Sequence, residues 1–441
     1  MRGKNILIIY NKTQTYTNTI YDHLVALGRG RGNAVFYHHH DGCSAFRVEL
    51  QRFDVVIIHY SIRLAFDQIS PELRGRLKNF CGLKALFIQD EYDNTKRVWE
   101  WIRELGIGLV FTCVPQRNIE KIYPADEFPG VRFVNNLTGY VPERLPKDIE
   151  VSPPSGRRLV VGYRGRELSI RYGALSREKA EIGRMVKRYC ERHKIPHDIA
   201  WDEKSRIYGD DWYRFLASCR AMLGTESGSN VFDWNGDLSH KINEYRSGHR
   251  ANDEEVYAAV VEPLEQPGIM NQISPKVFEA ICFKSVLVLF EGEYSGVLEA
   301  GRHYISLKKD GSNLGEVFEL LLDDDFVDSM AERAYLEIIK SGKYSYSSFA
   351  EFVYDEIGRL VRARMDSGRI IMKNVGKDQE FIVDPTCVTT NPVRWKIENS
   401  FTESGVYGSA IGRLVPLWMA MPAGLRKRLR DPLKALLRFG K

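Results

Sequence analysis

Apolar residues along this chain fall in short continuous runs rather than in strict alternation. Asn5 to Tyr10 (NILIIY), Phe53 to Tyr60 (FDVVIIHY) and Val286 to Phe290 (VLVLF) are rich in β-branched residues and too short for helices. Such runs predict strands buried on both faces of a parallel sheet. Ala34 to Tyr37, Ala85 to Ile88, Gly108 to Val114 and Val131 to Val134 read the same way. Between them lie helical stretches: Asn18 to Leu27, and Thr95 to Leu105, where Val98, Trp99, Ile102 and Leu105 recur at helical spacing. Alternating strand and helix predicts a doubly wound α/β domain over 1–150.

The pattern then restarts. Pro142 to Pro154 holds four prolines and few apolar residues, which predicts a linker. Arg158 to Tyr163 opens a second strand series, followed by a long helix over Arg177 to His193, a strand at Asp198 to Trp201, a helix at Asp211 to Ser218 and a strand at Ala221 to Leu223. Glu254 to Val261 reads as helical. The stretch Asn271 to Leu307 combines a short helix beginning at Ser274-Pro275, the buried strand at 286–290, and a polar loop, Glu291 to Gly296. Serine can cap such a helix, and proline suits its first position. These features define a second α/β domain over 157–342, with helices at Asn313 to Leu322 and Phe326 to Ile339. An amphipathic helix within 343–365 is expected to pack back on the body, and 366–441 forms a C-terminal extension.

A length of 441 residues agrees with two domains, since single cores stop growing well below that size. The net charge of +5 is unevenly spread: from Asp366 onward there are 13 Lys/Arg against 7 Asp/Glu, so the body is close to neutral. A near-neutral body argues against nucleic acid as a partner. In Gly412 to Lys441, leucines at helical spacing are surrounded by Lys and Arg, a pattern suited to an anionic membrane surface or to packing on the protein itself. The seven cysteines are scattered without a CxxC pair, which fits reduced thiols in a cytoplasmic protein. No run approaches the ~18 apolar residues of a spanning helix, and Ile6 to Ile9 is too short for a leader.

Two glycine- or histidine-rich stretches are set aside on geometry. Gly28-Arg29-Gly30-Arg31-Gly32 follows a helix instead of a strand, so it marks a helix stop and not a dinucleotide fingerprint. In His38-His39-His40-Asp41 neighbouring side chains alternate faces, so the run reads as a polar strand end, not a metal site.

The stretches FDVVIIHY (53–60), ALFIQDEYD (85–93), VVGYRGR (160–166) and SPKVFEAICFKSVLVLFEGEYSGVL (274–298) resemble the GT-B glycosyltransferases, including those of bacterial polysaccharide and lipopolysaccharide synthesis. The resemblance implies two Rossmann-like domains facing across a cleft, with acceptor bound by the first and nucleotide-sugar donor by the second. It implies that Glu279, followed by Ala280, bonds the donor's ribose hydroxyls. The partner glutamate expected eight positions earlier is Asn271, which breaks the pattern. Arg164 and Arg166 fall where the family places its diphosphate loop; guanidinium groups clamp phosphate oxygens. Lys276, Glu226 and Ser227 are further donor-side candidates, and Glu293, Tyr294, Ser295 and Gly296 form a loop able to offer backbone N–H groups.

In the first domain, His59, Asp90 and Glu91 close strands on the edge where an acceptor hydroxyl needs a hydrogen-bond acceptor or base. No metal-binding DxD motif stands out and no cofactor is implied, because the nucleotide sugar is itself the substrate. The expected activity is sugar transfer from a nucleotide donor to a glycan or lipid-linked acceptor. Two readings remain open beside it: a nucleotide-sugar epimerase of the same architecture, and a non-catalytic glycan-binding relative.

Overall fold

A computed structural model describes residues 3–30, 32–366 and 388–395. The tail at 412–441, read above as a membrane-surface candidate, lies outside the described residues. Six parallel strands form the first sheet: β1 (Asn5–Tyr10), β2 (Ala34–His39), β3 (Val55–Ile58), β4 (Leu83–Phe87), β5 (Leu109–Thr112) and β6 (Arg132–Asn135), in the order β2-β1-β3-β4-β5-β6. The second half contributes β7 (Leu159–Arg164), β8 (His197–Ala200), β9 (Cys219–Gly224), a short antiparallel pair β10 (Ser227–Ser229) and β11 (Met270–Gln272), then β12 (Val286–Phe290) and β13 (Ile305–Leu307). Its parallel sheet runs β13-β12-β9-β7-β8. Two doubly wound α/β sheets of this kind are the GT-B architecture, and both lie in one compact unit.

The continuous apolar runs are explained by helices on both faces. In β12, Val286, Val288 and Phe290 pack on one side with Ile182 and Val186 of the helix Ala174–His193. Leu287 and Leu289 pack on the other with Leu216, Phe278 and Ile281, from the helices Asp210–Ser218 and Pro275–Cys282. The first sheet is covered likewise. One of its cover helices comes from the far end of the described chain: Phe349, Val353 and Ile357 of Tyr346–Asp366 pack with Ile6, Ile8 and Phe87. Arg132 closes that contact on the buried carboxylate of Glu356 at 2.6 Å.

Between β10 and β11 the chain makes an excursion that periodicity only partly revealed. It holds the helix Leu238–His249, which went unrecognised, and the turn Asp253–Val256 running into a π-helical turn at Tyr257–Val261. Val231, Leu238, Ile242, Val256 and Val261 give it a small core of its own. At its ends Phe232, Ile269 and Met270 pack into the core of the first lobe, and Asn118 donates from that lobe to the carbonyls of Gly268 (2.9 Å) and Ile269 (3.0 Å). The two lobes are therefore tied together along one side of the cleft.

Candidate functional site

In both parallel sheets the first and third strands of the lobe are neighbours, so the chain leaves them in opposite directions and a crevice opens beyond their carboxyl ends. In the second lobe these strands are β7 and β9. The crevice there holds about 130 Å³ of water-accessible space and opens to solvent; Arg164, Gly165 and Arg166 line it at the end of β7, and Gly224, Thr225 and Ser227 at the end of β9. Lys179, Trp212, Ser274 and Lys276 complete the polar wall.

Three cations converge there with little to neutralise them. Arg166 is exposed and has no ion-pair or hydrogen-bond partner among the described residues. Among the described residues Lys276 donates only to the carbonyl of Arg164 (2.8 Å), and it lies 5.4 Å from the centre of the Trp212 ring. Lys179 donates to Ser227 Oγ at 3.3 Å. Burial, followed by repulsion from Lys276 and Arg166, pulls the Lys179 ammonium down to about 8, with Asp90 of the first lobe acting in the opposite sense. Ser274 sits at the N-cap of Pro275–Cys282, but its hydroxyl makes no capping bond, so it and the helix's N-terminus remain open to the crevice. The assembly concentrates positive charge of the kind that attracts anions, with Asp90 of the first lobe within electrostatic reach.

The other donor-side residues are placed as follows. Arg164 spends its guanidinium internally, on Asp198 (2.7 Å) and the carbonyls of Tyr163 and Asp198, and stacks 4.3 Å over Phe215; it lines the wall without a free fork for phosphate. Glu279 is half-buried and accepts from Trp212 Nε1 at 2.8 Å. Burial raises its carboxyl, while the indole and Lys276 act against the shift. Glu226 is buried and accepts from Asn271 Nδ2 (2.6 Å) and from the backbone N–H groups of Glu293 (3.2 Å) and Tyr294 (2.9 Å). A side chain at Gly292 would collide with this carboxylate, its Cβ coming within 2.7 Å of Glu226 Oε2.

Loop 292–296 therefore turns its amides inward, against the expectation that they would face a ligand. Tyr294 is buried with its hydroxyl on Phe290 O (2.6 Å), and Ser295 accepts from Ile273 N (3.0 Å). Gly296 N–H returns to Glu293 O (2.8 Å), and the Glu293 side chain pairs with Arg117 of the first lobe.

In the first lobe the three candidates separate. Asp90 is half-exposed, accepts from Tyr92 Oη at 2.9 Å and lies 3.5 Å from Arg63. Together with Tyr60, Ile62 and Ile88 it lines a smaller cavity beyond β3 and β4. His59 is a correction: it is fully buried, with Nε2 3.0 Å from His23 Nδ1 and Nδ1 2.9 Å from Ser61 Oγ. Burial drives His59 well down and His23 to about 3, so both are neutral structural groups with no reach into the cleft. Glu91 is the second correction. It too is fully buried, and its Oε1 accepts from Thr112 Oγ1 and from Cys113 N at 2.9 Å. Its Oε2 is unpartnered.

Burial lifts the Glu91 carboxyl to about 8, so the folded protein holds a proton that the unfolded chain releases at ordinary carboxylate values. Its stabilising contribution is full below about pH 4.5 and is lost as pH rises through 8. Between pH 6.5 and 8.5, above the range where the two histidines contribute, wild type should lose about 2 kcal/mol more than Glu91→Gln. Urea titrations across that range check this; parallel curves for the two proteins would refute it.

The sequence reading missed Lys179, Trp212 and Ser274. The lysine and the tryptophan sit on helices called correctly, but only the tertiary fold turns these two side chains to the β7–β9 crevice. Among the described residues no group of three or more His, Cys, Asp or Glu is arranged to hold a metal ion, and no helix is long and apolar enough to cross a membrane.

No protein-family model matches the sequence, and no curated protein does. Its likeness is to glycosyltransferases of known structure. An alpha-glucosyltransferase in complex with UDP matches at 11% identity and a TM-score of 0.46, covering 81% of this chain and 100% of its own. The T4 phage BGT in complex with UDP-glucose matches at 15% and 0.44, covering 80% and 99%. Sucrose-phosphate synthase from Thermosynechococcus elongatus matches at 9% and 0.43, covering 82% and 100%. Another structure of an alpha-glucosyltransferase, matching at 11% identity and a TM-score of 0.46, holds UDP and a 13-mer DNA.

Proposed function

We propose that the chain is a glycosyltransferase that moves a sugar from a nucleoside-diphosphate donor to a hydroxyl acceptor in the cleft between its lobes. The observation that carries this reading is the convergence of Arg166, Lys179 and Lys276 on the β7–β9 crevice, opposite Asp90. A diphosphate carries its negative charge where these cations meet, and Glu279, held by Trp212, is available to accept from a cis-diol of the ribose.

In the transfer step the acceptor oxygen forms a bond to the anomeric carbon. The bond from that carbon to the donor's phosphate oxygen breaks, and its electron pair leaves on the nucleoside diphosphate. Arg166, Lys179 and Lys276 offset the charge that develops there, so no metal ion is needed for that task. Asp90 accepts the hydrogen bond of the acceptor hydroxyl and takes up its proton. A glycan or lipid-linked acceptor of cell-surface polysaccharide synthesis fits this scheme.

The test is a thermal-shift titration with UDP, GDP and ADP sugars, with CMP sugars as a monophosphate control, followed by assay of nucleoside diphosphate release. One nucleotide class should stabilise the protein by several degrees and be released from its sugar. No stabilisation by any of them would overturn the reading. Binding with interconversion of the sugar, and no release, would favour an epimerase.

A further inference from the structure

The loop that follows β7 begins at Arg166 and ends at Arg171 and Tyr172, just before the helix Ala174–His193 that carries Lys179. Its two ends face different lobes. Arg166 lines the anion site, whereas Arg171 Nη2 crosses to Asp93 Oδ1 of the first lobe at 2.9 Å. Asp93 is almost wholly buried, its side chain only 3% exposed, and takes a second guanidinium on its other oxygen: Arg63 Nη2 lies 3.0 Å from Asp93 Oδ2. The same Arg63 nitrogen is 3.5 Å from Asp90 Oδ2. A line of alternating charge therefore runs Arg171, Asp93, Arg63, Asp90.

A parallel contact reinforces it. Tyr172 meets Tyr92 edge-on, with ring centres 5.3 Å apart, and the Tyr92 hydroxyl donates to Asp90 Oδ1 at 2.9 Å. Asp90 Oδ1 is thus oriented by a group that touches the loop after β7, and Oδ2 lies beside Arg63, which is linked to that loop through Asp93.

We propose that Arg171 is a positioning residue: through Asp93 and Arg63 it sets the Asp90 carboxylate against the donor bound at Arg166 and Lys179, coupling donor placement to acceptor activation. The proposal rests on the reading of the cleft as a glycosyl-transfer site. With Arg171 gone, Asp93 retains only Arg63, which is then drawn wholly onto the buried carboxylate and away from Asp90. A buried charge holds its remaining partner more strongly than a half-exposed one does. The donor cations are untouched, so binding and turnover should part company.

The experiment uses the full chain and whichever of the UDP, GDP and ADP sugars stabilises the wild type, with water as acceptor so that an unidentified acceptor does not limit it. Arg171→Gln should release nucleoside diphosphate at least tenfold more slowly at saturating donor, with nucleotide Kd within about twofold of wild type. Arg63→Gln, on the far side of Asp93, should reproduce that split. The double variant should be no slower than the slower single one, because both act through the same carboxylate. Arg171→Lys should recover part of the rate.

Wild-type turnover in both single variants would overturn the proposal. So would a loss of affinity in Arg171→Gln that matches its loss of rate while Arg63→Gln is unaffected; Arg171 would then only shape the phosphate loop. If Arg171→Gln does not fold, Arg63→Gln and Arg171→Lys decide the matter by the same split. Failure of the wild type to bind any nucleotide would instead remove the reading of the site itself.

Discussion

Replacing Arg166 and Lys179 together with alanine should weaken nucleoside-diphosphate binding by about 100-fold or more while leaving the free protein folded. Each cation offers a charge-assisted contact to phosphate, and such contacts contribute about 1.5–3 kcal/mol apiece. Two of them correspond to at least two decades in Kd. Neither residue has an ion-pair partner in the described structure, so no buried charge is orphaned by removing them. The two cations also repel each other, which is part of why Lys179 is held at about 8, so their removal relieves a strain on the unliganded protein.

The same lysine gives the site a pH signature. An anion binds best to the protonated ammonium, so affinity should be full below about pH 7 and decline as pH rises through 8. Lys179→Arg, permanently charged, should flatten that decline. Isothermal titration from pH 7 to 9.5 reads both effects; affinity unaltered in the double alanine variant would remove the crevice as the phosphate site.

Much of the fold was legible because it rests on local runs. VLVLF at 286–290 and NILIIY at 5–10 are buried on both faces and fall at the predicted places, since a parallel strand covered by helices has no polar face to blur the signal. Less was legible where tertiary contacts decide. The helix Leu238–His249 buries only Leu238 and Ile242, and its remaining surface is polar, too sparse a stripe for periodicity to register. His59 and Glu91 were correctly placed at strand ends, but strand position does not say whether a side chain turns to the cleft or under the sheet. His59 turns under, onto His23, thirty-six residues earlier.

Asn271 illustrates the same limit. In sequence it is a glutamate missing from a pattern; in space its amide lies 2.6 Å from the carboxylate of Glu226. A carboxylate therefore does stand beside that position, brought by β9 rather than by β11. No spacing rule within one segment could have shown it.

That carboxylate carries the second large effect. Glu226→Ala should destabilise the fold by about 2–3 kcal/mol, because it leaves the buried N–H of Tyr294, and the part-buried Glu293 N–H and Asn271 amide, without their acceptor. The loop they hold is already strained: Tyr294 and Ser295 adopt left-handed φ of 46° and 55°, at a cost of about 1–2 kcal/mol each. Released from Glu226, the loop is expected to relax toward ordinary backbone and loosen the packing of Tyr294 beneath β12. Glu226→Gln should be far milder. Asn271 Oδ1 is buried and unpartnered, so a rotation of the Asn271 amide gives the introduced NH2 group an acceptor. The remaining oxygen still serves the two backbone donors. Urea midpoints of the two variants separate the roles. An alanine variant within about 1 kcal/mol of wild type would refute the anchoring role. A glutamine variant as stable as wild type but unable to bind nucleotide would show that Glu226 meets the donor directly, rather than holding the loop beside it.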